Sequence, residues 1–164
     1  LRALTQEAAK WPKVEGVRLF YTGSQQENTD LYRMIEECGG NVVGEDHDWG
    51  DRVADLDIKD TLKFPLDCIT ERYWYLMPNS EKSRVRLRAE LVPEWIRACG
   101  AEAFLVYMYY NDEAYFWDYP TQKRKLDAEK IPSHLIAKQR IPLVNPQELR
   151  DELGQFIASV RREN

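Results

Sequence analysis

Apolar and polar positions change period in a regular alternation along the chain. Residues 16–21 (Gly-Val-Arg-Leu-Phe-Tyr) predict a strand, ended by Thr22-Gly23-Ser24. Leu31, Met34, Ile35 and Cys38 then recur at i, i+3, i+4 and i+7, one face of a helix, and Gly39-Gly40 supplies its stop. Residues 41–44 (Asn-Val-Val-Gly) predict a second, shorter strand. Residues 45–61 are polar, acidic and aperiodic, a long loop for a compact domain and therefore functional or mobile. Helical periodicity returns at Phe64-Pro65, with Leu66, Ile69, Tyr73 and Met77 on one side, and Pro78-Asn79-Ser80 breaks it. A basic stretch (Lys82, Arg84, Arg86, Arg88) leads into a helix carrying Leu91, Val92, Trp95, Ile96 and Cys99, where Pro93 predicts a kink or restart.

Residues 103–109 (Ala-Phe-Leu-Val-Tyr-Met-Tyr) are almost continuously apolar, as a central strand covered on both faces should be. An aromatic and acidic turn over residues 110–118 follows, then a highly charged helix over 120–130 and a fourth strand over 133–137. The last helix starts at Pro146 and carries Leu149, Leu153, Phe156, Ile157 and Val160. Strands alternating with helices predict an α/β fold, a three-layer Rossmann-like or flavodoxin-like domain on a short parallel sheet. Right-handed crossovers leave the strand order 2-1-3-4. The 164 residues make one such domain, with residues 1–15 as a leading helix or linker.

Composition narrows the partners. Charged residues are 31% of the chain, but the net charge is −5, which argues against nucleic acid as the main partner. The longest apolar run, residues 103–108, is too short to span a bilayer, and the first residues are neither basic nor hydrophobic, so neither a membrane anchor nor a signal peptide is expected. Cys38, Cys68 and Cys99 form no CxxC pair, which excludes a zinc knuckle or a thioredoxin-type site, and free thiols fit a cytoplasmic setting. The chain lacks an initiator Met and opens in mid-helix, which reads as a piece of a longer protein.

In a sheet of this kind ligands bind at the carboxyl ends of the strands, near the switch in strand order. That rule selects Thr22, Gly23 and Ser24 after the first strand, Asp46 and Arg52 after the second, Tyr110, Asn111 and Asp112 after the third, and Lys138 after the fourth. Thr22-Gly23-Ser24 could hold an anion at a helix start; an ordinary turn, with Asn28 or Thr29 as the cap, is the favoured reading, because the glycine pattern of a phosphate loop is missing. Glu45, Asp46, His47 and Asp48 are a dense set of hard ligands, for which a solvated acidic loop is favoured over a metal or an acid–base pair. Arg52 is expected to turn inward onto these carboxylates and compensate their charge without a metal. Cys38 and Cys99 fall on apolar helix positions and are expected in the core, as is Cys68. The aromatic residues near the third strand end favour packing or a partner interface over single-strand stacking, which the neighbouring acids oppose.

Read in order, several segments resemble the last domain of the 2-hydroxyacyl-CoA dehydratase family, which includes benzoyl-CoA reductase subunits. They are Val17-Arg18-Leu19-Phe20-Tyr21-Thr22-Gly23-Ser24; Ile35-Glu36-Glu37-Cys38-Gly39-Gly40; Asn41-Val42-Val43-Gly44-Glu45-Asp46; Gly50-Asp51-Arg52; and Phe64-Pro65-Leu66-Asp67-Cys68-Ile69-Thr70-Glu71-Arg72-Tyr73. Tyr110-Asn111-Asp112, Asp118-Tyr119-Pro120, Lys130-Ile131-Pro132 and Glu148-Leu149-Arg150 continue the register, so the similarity covers roughly residues 16–160. The resemblance implies a C-terminal domain of a longer subunit, a 4Fe-4S cluster in the complete enzyme, and an acyl-CoA substrate undergoing radical dehydration or reduction. The implied partners are upstream domains or a second homologous subunit, and an ATP-dependent activator that donates the electron. Asn111 occupies the position of the family's third cysteine ligand, and a neutral amide is a poor iron–sulfur ligand, so no cluster is expected on this chain alone. Two other readings stay open: a non-catalytic interaction domain pairing with a catalytic subunit, and a stand-alone flavodoxin-like domain binding a small anion at Thr22, Gly23 and Ser24.

Overall fold

The computed structural model of the chain describes residues 2–54, 56–60, 64–79 and 84–163. A leading helix α1 (Arg2–Ala8) is followed by β1 (Val17–Gly23), α2 (Asp30–Glu37) and β2 (Gly40–Asp46). A 3₁₀ turn (Asp51–Val53) precedes α3 (Pro65–Thr70), which runs on into a π-helical segment (Glu71–Leu76). Then come α4 (Val85–Cys99), β3 (Ala103–Tyr109), α5 (Ala114–Ala128), β4 (Ser133–Gln139) and α6 (Pro146–Glu163). The strands form one parallel sheet in the order β2-β1-β3-β4, as the alternation of elements predicts.

The pleat sends alternate residues to opposite faces, and each face is covered by a helix pair. Leu19, Tyr21, Leu105 and Tyr107 pack against Leu31 and Ile35 of α2 and Leu153 and Ile157 of α6. Phe20, Phe104, Val106 and Met108 pack on the other side against Val92 and Ile96 of α4 and Tyr115 and Leu126 of α5. Both faces of β3 are thus core, which is why its sequence is an unbroken apolar run. Each such side chain taken from water contributes about 1.5–3 kcal/mol.

Three expectations are corrected. No restart divides α4: it is continuous from Val85 through Pro93 to Cys99, and Arg86 and Arg88 belong to it rather than to a lead-in. Pro93 forfeits one backbone hydrogen bond, and burial of Val92, Pro93 and Ile96 holds the helix across the gap. α5 starts at Ala114, not after Asp118, and Pro120 lies inside it; its inward stripe of Tyr115, Asp118, Gln122 and Leu126 is half polar, which hides the helical period. The apolar stripe assigned to α3 is its outer side. Leu66, Ile69 and Tyr73 face out, while Cys68 and Arg72 are buried. Arg72 is drawn in by carbonyl acceptors: its Nε donates to Leu56 O at 2.8 Å and an Nη to Arg52 O at 3.1 Å. Thr61, Ser80 and Lys82, part of the predicted loop, breaker and basic stretch, lie outside the described residues.

Candidate functional site at the strand ends

With all four strands parallel, their carboxyl ends share one edge of the sheet. The sequence-selected residues meet there in two groups. In the first, β1 is stitched to β3. The Ser24 hydroxyl donates to Asp112 Oδ2 at 2.6 Å and accepts the Tyr109 N–H at 2.9 Å, while the Ser24 N–H donates to Tyr107 O at 2.9 Å. The Thr22 hydroxyl donates to Asp46 O at 2.6 Å. Gly23 (φ +124°) brings the backbones of the two strands together: a Cβ there would lie 2.0 Å from Tyr107 O. Both hydroxyls are therefore engaged inside the fold, in keeping with an ordinary turn. Thr29 occupies the N-cap position of α2 without a side-chain cap bond, and Asn28 Oδ1 accepts the Asp30 N–H at 2.9 Å.

The second group surrounds an apolar cleft of about 180 Å³ at the ends of β3 and β4, lined by Met108, Tyr110, Asp112, Phe116, Trp117 and Lys138 among others. Tyr107 pairs with Ile136 but Tyr109 pairs with Gln139, so β4 carries one extra residue at this point. Lys138 sits in that bulge with φ +61°. Bulges of this kind re-aim a side chain, and a non-glycine residue held at positive φ costs of order 1 kcal/mol or more, so it persists only where its surroundings impose it. Asn111 is exposed on the turn that leads from β3 into α5.

Beneath this edge lies a buried charge network. Asp46 pairs with Arg52 at 3.1 Å and with Arg88 at 2.6 Å, and Arg88 Nε donates to Asp118 at 2.6 Å. Arg52 also meets Asp48, and the Arg88 guanidinium donates to Pro78 O at 2.6 Å and lies 5.6 Å from the Tyr115 ring centre. Arg88 is 0% and Asp46 2% exposed, so screening by water is small. Burial works against the charge on Arg88, but Asp46 and Asp118 outweigh it and raise its pKa. Arg52 thus turns inward as its position predicts. Arg88 and Asp118 were not foreseen; the available signal was a charge on an otherwise apolar helical stripe (Arg88, Ala89, Val92, Ile96).

The rest of the acidic loop is tied locally. His47 is buried; its Nδ1 accepts the Trp49 N–H at 3.2 Å, which leaves Nε2 to donate to Glu45 at 3.1 Å. Burial pushes the Glu45 pKa up, but the hydrogen bonds from His47 and Tyr32 together hold it below its usual value. Among the described residues no group of three His, Cys, Asp or Glu is arranged to hold a metal ion. Cys38, after α2, and Cys99, at the end of α4, are half-buried at the margin of the core rather than inside it, Cys99 lining a cleft with Asp46 and Arg52, and Cys68 is buried in α3. No helix among the described residues is long and apolar enough to cross a membrane.

Comparison with curated proteins gives no match. A family model, "2-hydroxyglutaryl-CoA dehydratase, D-component", matches residues 1–157, which takes in both faces of the sheet and the whole strand-end edge. The chain therefore belongs to the 2-hydroxyglutaryl-CoA dehydratase D-component family.

Proposed function

We propose that the chain serves as the C-terminal α/β domain of a subunit that dehydrates a 2-hydroxyacyl-CoA by radical chemistry, or of a related benzoyl-CoA reductase subunit. Its strand-end edge would face the thioester and the neighbouring domains or second homologous subunit. The observation that carries this reading is the apolar cleft beside Asn111, floored by Met108, walled by Phe116 and Trp117, and rimmed by Lys138. Such a cleft can seat an acyl group out of water while Lys138 attracts an anionic part of the substrate. A 4Fe-4S cluster requires thiolates, and this edge offers Asn111 in their place, while Cys38, Cys68 and Cys99 stand apart after α2, within α3 and at the end of α4, with no group of three ligands among the described residues. The chain's own residues do not fit that cluster. Cysteines of other domains would hold it, and an ATP-dependent activator would reduce it.

Two readouts from one preparation test this. Anaerobic incubation with iron and sulfide is expected to leave the chain colourless; a brown product with about four irons per chain would overturn the assignment of the cluster to other domains. Acetylation of Lys138, followed by mass spectrometry, is expected to slow at least severalfold when benzoyl-CoA or 2-hydroxyglutaryl-CoA is present. Equal labelling with and without either thioester sinks the placement of the acyl group. An interaction domain is the second reading, and the outward apolar side of α3 and its π-helical continuation favours it: Leu66, Trp74 and Tyr75 are 71%, 61% and 60% exposed.

A further inference from the structure

A larger groove, about 420 Å³, opens on the other side of Tyr109, between the start of α2 and the segment joining β4 to α6. Its walls are apolar where Leu31, Met34 and Leu143 line it. Tyr107 and Tyr109 stand in it edge to face, with ring centres 5.6 Å apart. The two tyrosines differ in one respect. Tyr109 donates its hydroxyl to Gln26 Oε1 at 3.0 Å, whereas the Tyr107 hydroxyl, on a side chain only 2% exposed, has no hydrogen-bond partner among the described residues. The Tyr107 oxygen is not among the fully enclosed polar atoms, so it opens onto the groove, where it lacks a partner. An acceptor placed in the groove would supply one.

Charge narrows what that acceptor can be. Three arginines line the groove, and two are already closed by acids: Arg33 by Asp30 and Arg150 by Glu37. Arg140 makes no ion pair among the described residues; its guanidinium lies over the Tyr110 ring, 4.9 Å from the centre. The remaining acid, Glu27, is exposed. One open guanidinium and one open hydroxyl match a single negative charge with a planar pair of oxygens, and the local field is too nearly neutral to favour a dianionic phosphate. From this geometry we infer that the groove between α2 and the β4–α6 segment binds a compact aryl or alkyl monocarboxylate, with the carboxylate between Tyr107 and Arg140 and the apolar part on Leu31, Met34 and Leu143. The site is separate from the strand-end cleft and stands whether or not that cleft receives an acyl-CoA.

The test is isothermal titration of the full chain with phenylacetate, phenylacetamide and inorganic phosphate, repeated on Tyr107→Phe and Arg140→Gln. Phenylacetate should bind, and the neutral amide and phosphate at least tenfold more weakly. Each substitution should weaken phenylacetate by about tenfold, the size of one hydrogen bond to a charged acceptor. Tyr107→Phe keeps the ring and Arg140 is exposed, so both variants should fold; unchanged thermal unfolding verifies this. No binding of phenylacetate, equal binding of phosphate, or undiminished binding by both folded variants overturns the inference.

Discussion

Replacing Arg88 by methionine is expected to destabilise the fold by about 3–5 kcal/mol, the cost of removing one partner from a buried ion pair. Methionine fills most of the volume but brings no cation. Asp46 would keep only Arg52 of its two guanidiniums, Asp118 would lose the Arg88 contact, and Pro78 O would lose its 2.6 Å donor. For a chain of this size the loss corresponds to a fall in Tm of roughly 6–20 °C. Urea or thermal unfolding reads it directly. Adding Asp118→Asn to Arg88→Met should restore part of the loss, because one buried negative charge is removed with the positive one. A drop below 1 kcal/mol in the single variant, or no recovery in the double, would show that the network is solvated rather than buried.

Gly23→Ala is the second large effect. The added methyl would sit 2.0 Å from the carbonyl oxygen of Tyr107, a backbone atom in the central strand that cannot turn aside, and alanine would be held at φ +124°. The expected cost is on the order of 3 kcal/mol or more, from strain and steric contact together. The change should also loosen the Ser24–Asp112 and Ser24–Tyr109 hydrogen bonds, which depend on the approach of β1 to β3. Amide exchange is the sensitive measurement: protection at Ser24 and Tyr109 should fall more than the global stability does. An alanine variant of wild-type stability would mean that the two strands can part at this point without penalty.

The sheet and its order are legible because β1, β3 and the helices α2 and α6 carry clear apolar patterns, and the shorter β2 and β4 follow from the alternation of elements around them. Strand ends follow from topology, so the grouping of Ser24, Asp46, Asp112 and Lys138 on one edge could be read before any coordinates. The parts that were misread share one cause. Arg88, Asp118 and Gln122 point inward on α4 and α5, and a buried salt bridge has the same composition as a solvated face. An inward charge interrupts the apolar period, and so α4 and α5 each begin earlier than their apolar residues predict. On α3 and its π-helical continuation the pattern is largely inverted: Leu66, Ile69 and Tyr73 are exposed, Met77 is half-buried, and Arg72 is inside, where it meets backbone carbonyls that no sequence pattern displays.

The position of β1 between β2 and β3 has a consequence for how the chain finds its fold. Val17 reaches Gly40 through a short crossover, but Leu19 must meet Ala103 after the chain has passed through α3 and α4. The first pairing is local and can form early. The second closes a loop of some 84 residues, an entropy that must be lost before the buried face of β3 gives anything back. Equilibrium stability is forgiving of that excursion, since doubling its length would add only about 0.6 kcal/mol of closure cost. The folding rate is not, and docking of β3 against β1 is the step on which it should depend.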